Sequence, residues 1–196
     1  MNTILEFIFS NLNAIILVIW FLFLIIVAIR FFRPNWVKNI SYFKLFYITL
    51  GVHVLYSLFL TWAQYYVWSI TDPSGTFNKL SYFLGYAFIH FWLSLVLLSL
   101  ISGILYFLFR LWLHYRGGFT DEGPMLLLVL MLISGWPGVL VSVTLGFIFA
   151  VLFFIFSYLK NIRNKDTLPI ISIEGFFILS TLIALLFTKV IMFYML

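Results

Sequence analysis

Residues Arg110–Gly138 read RLWLHYRGGFTDEGPMLLLVLMLISGWPG, and the fold is decided by how this stretch sits in a membrane. It holds two of the chain's 6 carboxylates, Asp121 and Glu122, with Gly117-Gly118 before them and Gly123-Pro124 after. Carboxylates beside apolar runs are costly in lipid and mark a water-facing loop end or a site. The apolar run that follows is cut by Gly135-Trp136-Pro137-Gly138, and is shorter than the roughly 20 residues a crossing requires. A short helix from Pro124 to Ser134 is therefore expected, with proline well placed in its first turn. A longer helix, Val139 to Leu159, is expected beyond the break.

The rest of the chain supports a membrane setting. Hydrophobic residues make up 65% of the 196 positions and charged residues 9%, with a mean hydropathy of +1.18. Soluble domains are about half apolar and about a quarter charged, so this composition leaves too little polar surface for water. The apolar runs are continuous rather than alternating, which excludes a transmembrane barrel. The expected fold is all-α: a polytopic transmembrane helical bundle, one integral membrane domain over residues 1–196, with about five or six membrane segments in contact with the lipid bilayer. With Cys at 0, disulfides, thiolate metal sites and cysteine nucleophiles are ruled out.

The net charge of +5 belongs to short basic loops, which encode orientation in a membrane rather than affinity for nucleic acid. The first span is read as Ile15 to Phe31, with a start as early as Ile4, and as a retained span rather than a cleaved signal. Arg30, Arg33, Lys38 and Lys44 follow with no acid among them, so this loop is assigned to the cytoplasm and the N-terminus outside. The second span runs from Phe46 to Ile70 and ends in Trp62, Tyr65, Tyr66 and Trp68, the aromatic belt of a headgroup region. From Leu80 to Leu113 there is no proline, and a single helix of that length reaches about 50 Å. Either its first part lies in the interface, with the span at Ser94 to Leu113, or the stretch makes two passes. Pro169 opens the last span, with Glu174 one turn inside it. The sorting of basic loops fits a bacterial or archaeal cytoplasmic membrane.

From Asp72 to Phe187 the order of motifs resembles the membrane core of the type IV prepilin peptidases, the GxGD aspartyl proteases. Asp72-Pro-Ser-Gly-Thr-Phe-Asn78 looks like a shortened form of that family's first aspartate segment. Gly118-Phe119-Thr120-Asp121 resembles GxGD, with threonine in place of the second glycine. Ser134-Gly-Trp-Pro137, a long helix, a basic loop at Lys160 to Lys165 and Leu168-Pro-Ile-Ile-Ser-Ile-Glu-Gly-Phe-Phe177 follow in the family's order. The resemblance implies a membrane endopeptidase acting on a membrane-inserted leader peptide or pilin-like protein, without a cofactor. It implies Asp121 and Asp72 as the catalytic pair, with Gly118 as the first glycine of the motif. Apart from the resemblance, Glu122 beside Asp121 is a candidate supporting acid, and Glu174 is an alternative partner on the same predicted cytoplasmic side as Asp121. The cysteine-rich cytoplasmic segment of the family is missing, so no methyltransferase role is implied.

An aspartyl protease needs two carboxylates close enough to share a proton. The charge sorting places Asp72 outside and Asp121 inside, and only two passes over residues 80–113 would unite them. Each acid also has a structural reading: Asp72 as a turn residue, Asp121 and Glu122 as stabilisers of a helix start, and Glu174 as an ion-pair partner of Arg110, Arg116 or the Lys160 loop. His53, His90 and His114 lack metal-ligand spacing; His90 and His114 are read as interfacial, and His53 with Gln64 as a polar contact between helices. The alternative to a peptidase is a non-catalytic scaffold or assembly partner. A transporter or lipid-handling protein has one argument, the broken helix at Gly135–Gly138.

Overall fold

In lipid, every backbone N–H and C=O must be satisfied within the chain, so long apolar runs without proline become long helices. The computed structural model describes residues 3–71, 79–116, 121–164 and 173–195. Helix α1 spans Thr3–Phe32 and, after a short 3-10 turn at Pro34–Val37, α2 spans Tyr42–Thr71. Helices α3 (Leu80–Ala87) and α4 (Leu93–Arg116) flank a π-helical turn at Phe88–Trp92; α5 spans Gly123–Ser134, α6 Gly138–Asn164 and α7 Glu174–Met195. Four stretches are long and apolar enough to cross a bilayer: Asn11–Phe32, Tyr42–Thr71, Leu80–Leu113 and Gly138–Leu159. The protein is an integral membrane helical bundle.

Two expectations are corrected. Of the two readings of Leu80–Leu113, two passes are excluded. The stretch is one continuous helix, because Ala87, Phe88 and Leu93 all keep right-handed helical backbone angles through the π turn. Glu174 is the first residue of α7 rather than a residue one turn inside it; Pro169 lies outside the described residues.

Helix α5 organises the rest. It packs against α1, α2, α4, α6 and α7, and all 12 of its residues are buried. A helix that is apolar on every side has no face to offer water, and here the surrounding helices cover it. At 1.5 Å per residue it is about 18 Å long, little more than half of a roughly 30 Å hydrocarbon core. The surrounding helices present narrow stripes to it: Trp20, Leu24 and Val27 from α1, Tyr42 and Leu45 from α2, and Leu98 and Phe109 from α4. Away from it they carry exposed apolar side chains, and on α6 the run Val151 to Phe156 is exposed all round the helix, as contact with lipid requires.

Helices α6 and α7 pack through small residues. Ser142 Oγ lies 2.9 Å from Thr181 Oγ1 and 3.5 Å from Ser180 Oγ, and Gly146 lies under the ring of Phe177. Small residues let membrane helices approach closely, and hydroxyls then bond between them.

Candidate functional site

The two ends of α5 carry the polar chemistry of the bundle. At its start, Asp121 and Glu122 are both exposed, and the main chain turns directly into the helix with Pro124 in its first turn. Glu122 occupies the N-cap position without a side-chain hydrogen bond to the helix. Its Oε2 instead accepts from Arg30 Nη2 at 3.4 Å, linking the end of α1 to the start of α5. Charge-assisted bonds of full strength are nearer 2.7–2.9 Å, so this pair orients the two ends rather than clamping them.

Arg30 also lies 5.7 Å from the centre of the Tyr42 ring on α2. Arg30, Tyr42 and Glu122 therefore gather α1, α2 and α5 around the mouth of the short helix, and the start of α7 lies beside the end of α1, with Gly175 against Phe31. Glu174 is fully buried there. Arg110, one of its expected partners, donates instead to the Tyr106 hydroxyl at 2.9 Å. Asp72 and Gly118 lie outside the described residues, so among the expected site residues the structure describes Asp121, Glu122 and Glu174.

The far end of α5 is built differently. Gly135 takes a positive φ of 65° and leads through Trp136 and Pro137 into α6. A helix end leaves carbonyls without partners inside the helix. The Leu132 carbonyl accepts from the Gly135 N–H at 3.1 Å and from His53 Nε2 at 2.8 Å. His53 is stacked on Trp20, with ring centres 4.4 Å apart. The expected contact between helices by His53 is thus a bond from α2 to the end of α5, with α1 holding the ring in place.

Replacing His53 by alanine should leave the Leu132 carbonyl one donor short. The carbonyl keeps the Gly135 N–H, so the cost is that of one net hydrogen bond, about 0.5–1.5 kcal/mol, and the Trp20 stack is lost as well. Unfolding followed by circular dichroism in mild detergent checks this. An unchanged midpoint would show that the bond does not hold α2 to α5.

Beyond the end of α5 lies a cavity of about 500 Å³ whose walls come from α1, α2, the π turn and α4, the Gly135 turn and α7. It follows from the length of α5: the outer helices continue where the central one has stopped. The sequence had marked His53, His90 and the Gly135-Trp136 break singly, without bringing them to one place. His90, read as interfacial, lines it from the π turn with Ser94 beyond it on α4, and Asn13, Tyr56 and Trp136 line it from other walls. The available signal was the mismatch between a short apolar helix and its long neighbours.

Fold and site together define an integral membrane bundle built around a half-length buried helix. No protein-family profile matches the chain, and searches of curated proteins and of solved structures find no match.

Proposed function

We propose that the chain is a non-catalytic membrane scaffold or assembly partner that keeps a prepilin-peptidase-like arrangement of helices without its hydrolytic centre. The observation that carries this reading is the Arg30–Glu122 pair. The acidic segment at the start of α5 is engaged with a guanidinium on a neighbouring helix, which is a structural use of that charge. A water-splitting pair needs two carboxylates against each other. The continuous helix Leu80–Leu113 adds support, because the implied pair of Asp72 and Asp121 was reconciled with the loop charges only by two passes over that stretch.

A second reading keeps the peptidase: an aspartyl endopeptidase cleaving leader peptides of membrane-inserted substrates in a bacterial or archaeal cytoplasmic membrane, with the N-terminus outside. What favours it is the exposed Asp121 carboxylate at the opening of a buried helix, together with the order of short helix, Gly-Trp turn and long helix that the resemblance implies. Co-expression with a prepilin substrate decides between the two. The scaffold reading expects no processing above background, and no change when Asp121 or Asp72 becomes alanine. Processing by the unaltered chain that disappears in Asp121→Ala would overturn it.

A further inference from the structure

The cavity beyond α5 lies at the opposite end of that helix from the acids, and it does not depend on the reading above. Its walls fall inside three of the crossing segments: Asn13 to Trp20 of α1, His53 to Leu60 of α2, and His90 to Leu98 of the π turn and α4. It is therefore enclosed by helices long and apolar enough to cross a bilayer. About 500 Å³ falls within the range of roughly 300–1,000 Å³ typical of small-molecule sites. An empty space of that size forfeits packing contacts on every wall. Water fills a cavity only where two to four polar partners meet each molecule, and most of this wall is apolar.

Charge narrows the occupant further. Among the described residues, those lining the cavity include no Asp, Glu, Lys or Arg. A charged headgroup would enter unpaired, which a low-dielectric site penalises heavily. Hydrogen-bonding groups are nevertheless present. Tyr56 donates to Asn13 Oδ1 at 3.3 Å, and His90 lies against Tyr86 with ring centres 4.1 Å apart. Ser94 is on the same wall. Because Nε2 of His53 donates to Leu132, Nδ1 is left as an acceptor in the neutral ring.

The π turn serves this wall. Ser57 Oγ donates to the Phe91 carbonyl at 3.1 Å, and Trp92 Nε1 donates to Thr61 Oγ1 at 3.1 Å. Helix α2 thereby fixes the one irregular turn of the long helix where it meets the cavity. Such π turns often occur at functional sites.

We infer that this cavity binds an uncharged lipid: a hydrocarbon chain with a small head bearing hydroxyl or carbonyl oxygen. A diacylglycerol, an isoprenoid alcohol and an isoprenoid quinone share that chemistry. The test uses the full chain in phosphatidylcholine nanodiscs with a diazirine-bearing diacylglycerol. Diazirine-bearing phosphatidylcholine and phosphatidylglycerol serve as controls, and adducts are mapped by peptide mass spectrometry. Diacylglycerol adducts should concentrate on the α1, α2 and α4 cavity segments and be displaced by unlabelled dioleoylglycerol, polyprenol or menaquinone. The most effective competitor identifies the head. Ala14→Phe on α1 and Ser94→Phe on α4 fill the space from different helices, so a folding defect in one leaves the other informative. Each should lower cavity labelling by about tenfold, a difference of about 1.4 kcal/mol in binding. Equal labelling of these segments by the phosphatidylglycerol probe, or undiminished labelling in both filled variants, would overturn the inference.

Discussion

Replacing Gly146 by leucine should separate α6 from α7 and destabilise the bundle by about 3 kcal/mol or more, at the upper end of what overpacking costs. A β-carbon at Gly146 would lie 2.9 Å from Phe177 Cδ1 and 3.0 Å from Cε1 and Cγ, a separation that real side chains do not tolerate. The ring has little room to retreat. Phe177 is fully buried, and Phe147 and Phe109 meet it edge-on at centroid distances of 5.5 and 6.1 Å. Pushing it aside would also strain the Ser142–Thr181 contact on the same interface. Gly146→Ala should show the same direction with a smaller loss. Denaturant unfolding in detergent micelles measures both. A leucine variant as stable as the parent would mean that α6 and α7 are not held at this distance.

The helices were legible because membrane physics leaves few choices. An apolar run without proline, closed by aromatic residues or basic loops, reads as a span, and Tyr42–Thr71 and Gly138–Leu159 follow the expected segments closely. The short helix was equally readable, since Pro124 and Gly135-Trp136-Pro137 bracket it. Its position in the centre of the bundle was not. That follows from five neighbours separated in sequence, and periodicity is silent in a helix that is apolar on every side.

The candidate site was less legible for a related reason. Asp121 and Glu122 were visible as charges out of place, but Arg30 stands 92 residues from Glu122. No local spacing connects them. The π turn is invisible in Phe88-Ile-His-Phe-Trp92, which reads like ordinary helix. The cavity is harder still, because it comes from a difference in helix length rather than from any motif. The broken helix at Gly135–Gly138 had been the single argument for a lipid-handling protein, and the cavity lies directly beside that break.

The account rests on α5 as a short helix enclosed by protein on all sides, and an alanine scan through it tests that most directly. Leu126, Leu127, Leu128, Val129, Leu130, Met131, Leu132 and Ile133 are all buried, none more than 8% exposed. Replacing a buried leucine by alanine costs about 2–5 kcal/mol, because the surroundings close only partly over the space left. On a lipid-facing surface the same change leaves acyl chains, as apolar as leucine, to fill the gap. Unfolding free energies across these eight positions should therefore fall at every one, without periodicity. Losses that recur every three or four residues, with tolerant positions between them, would place one face of α5 against the bilayer and contradict the enclosed helix.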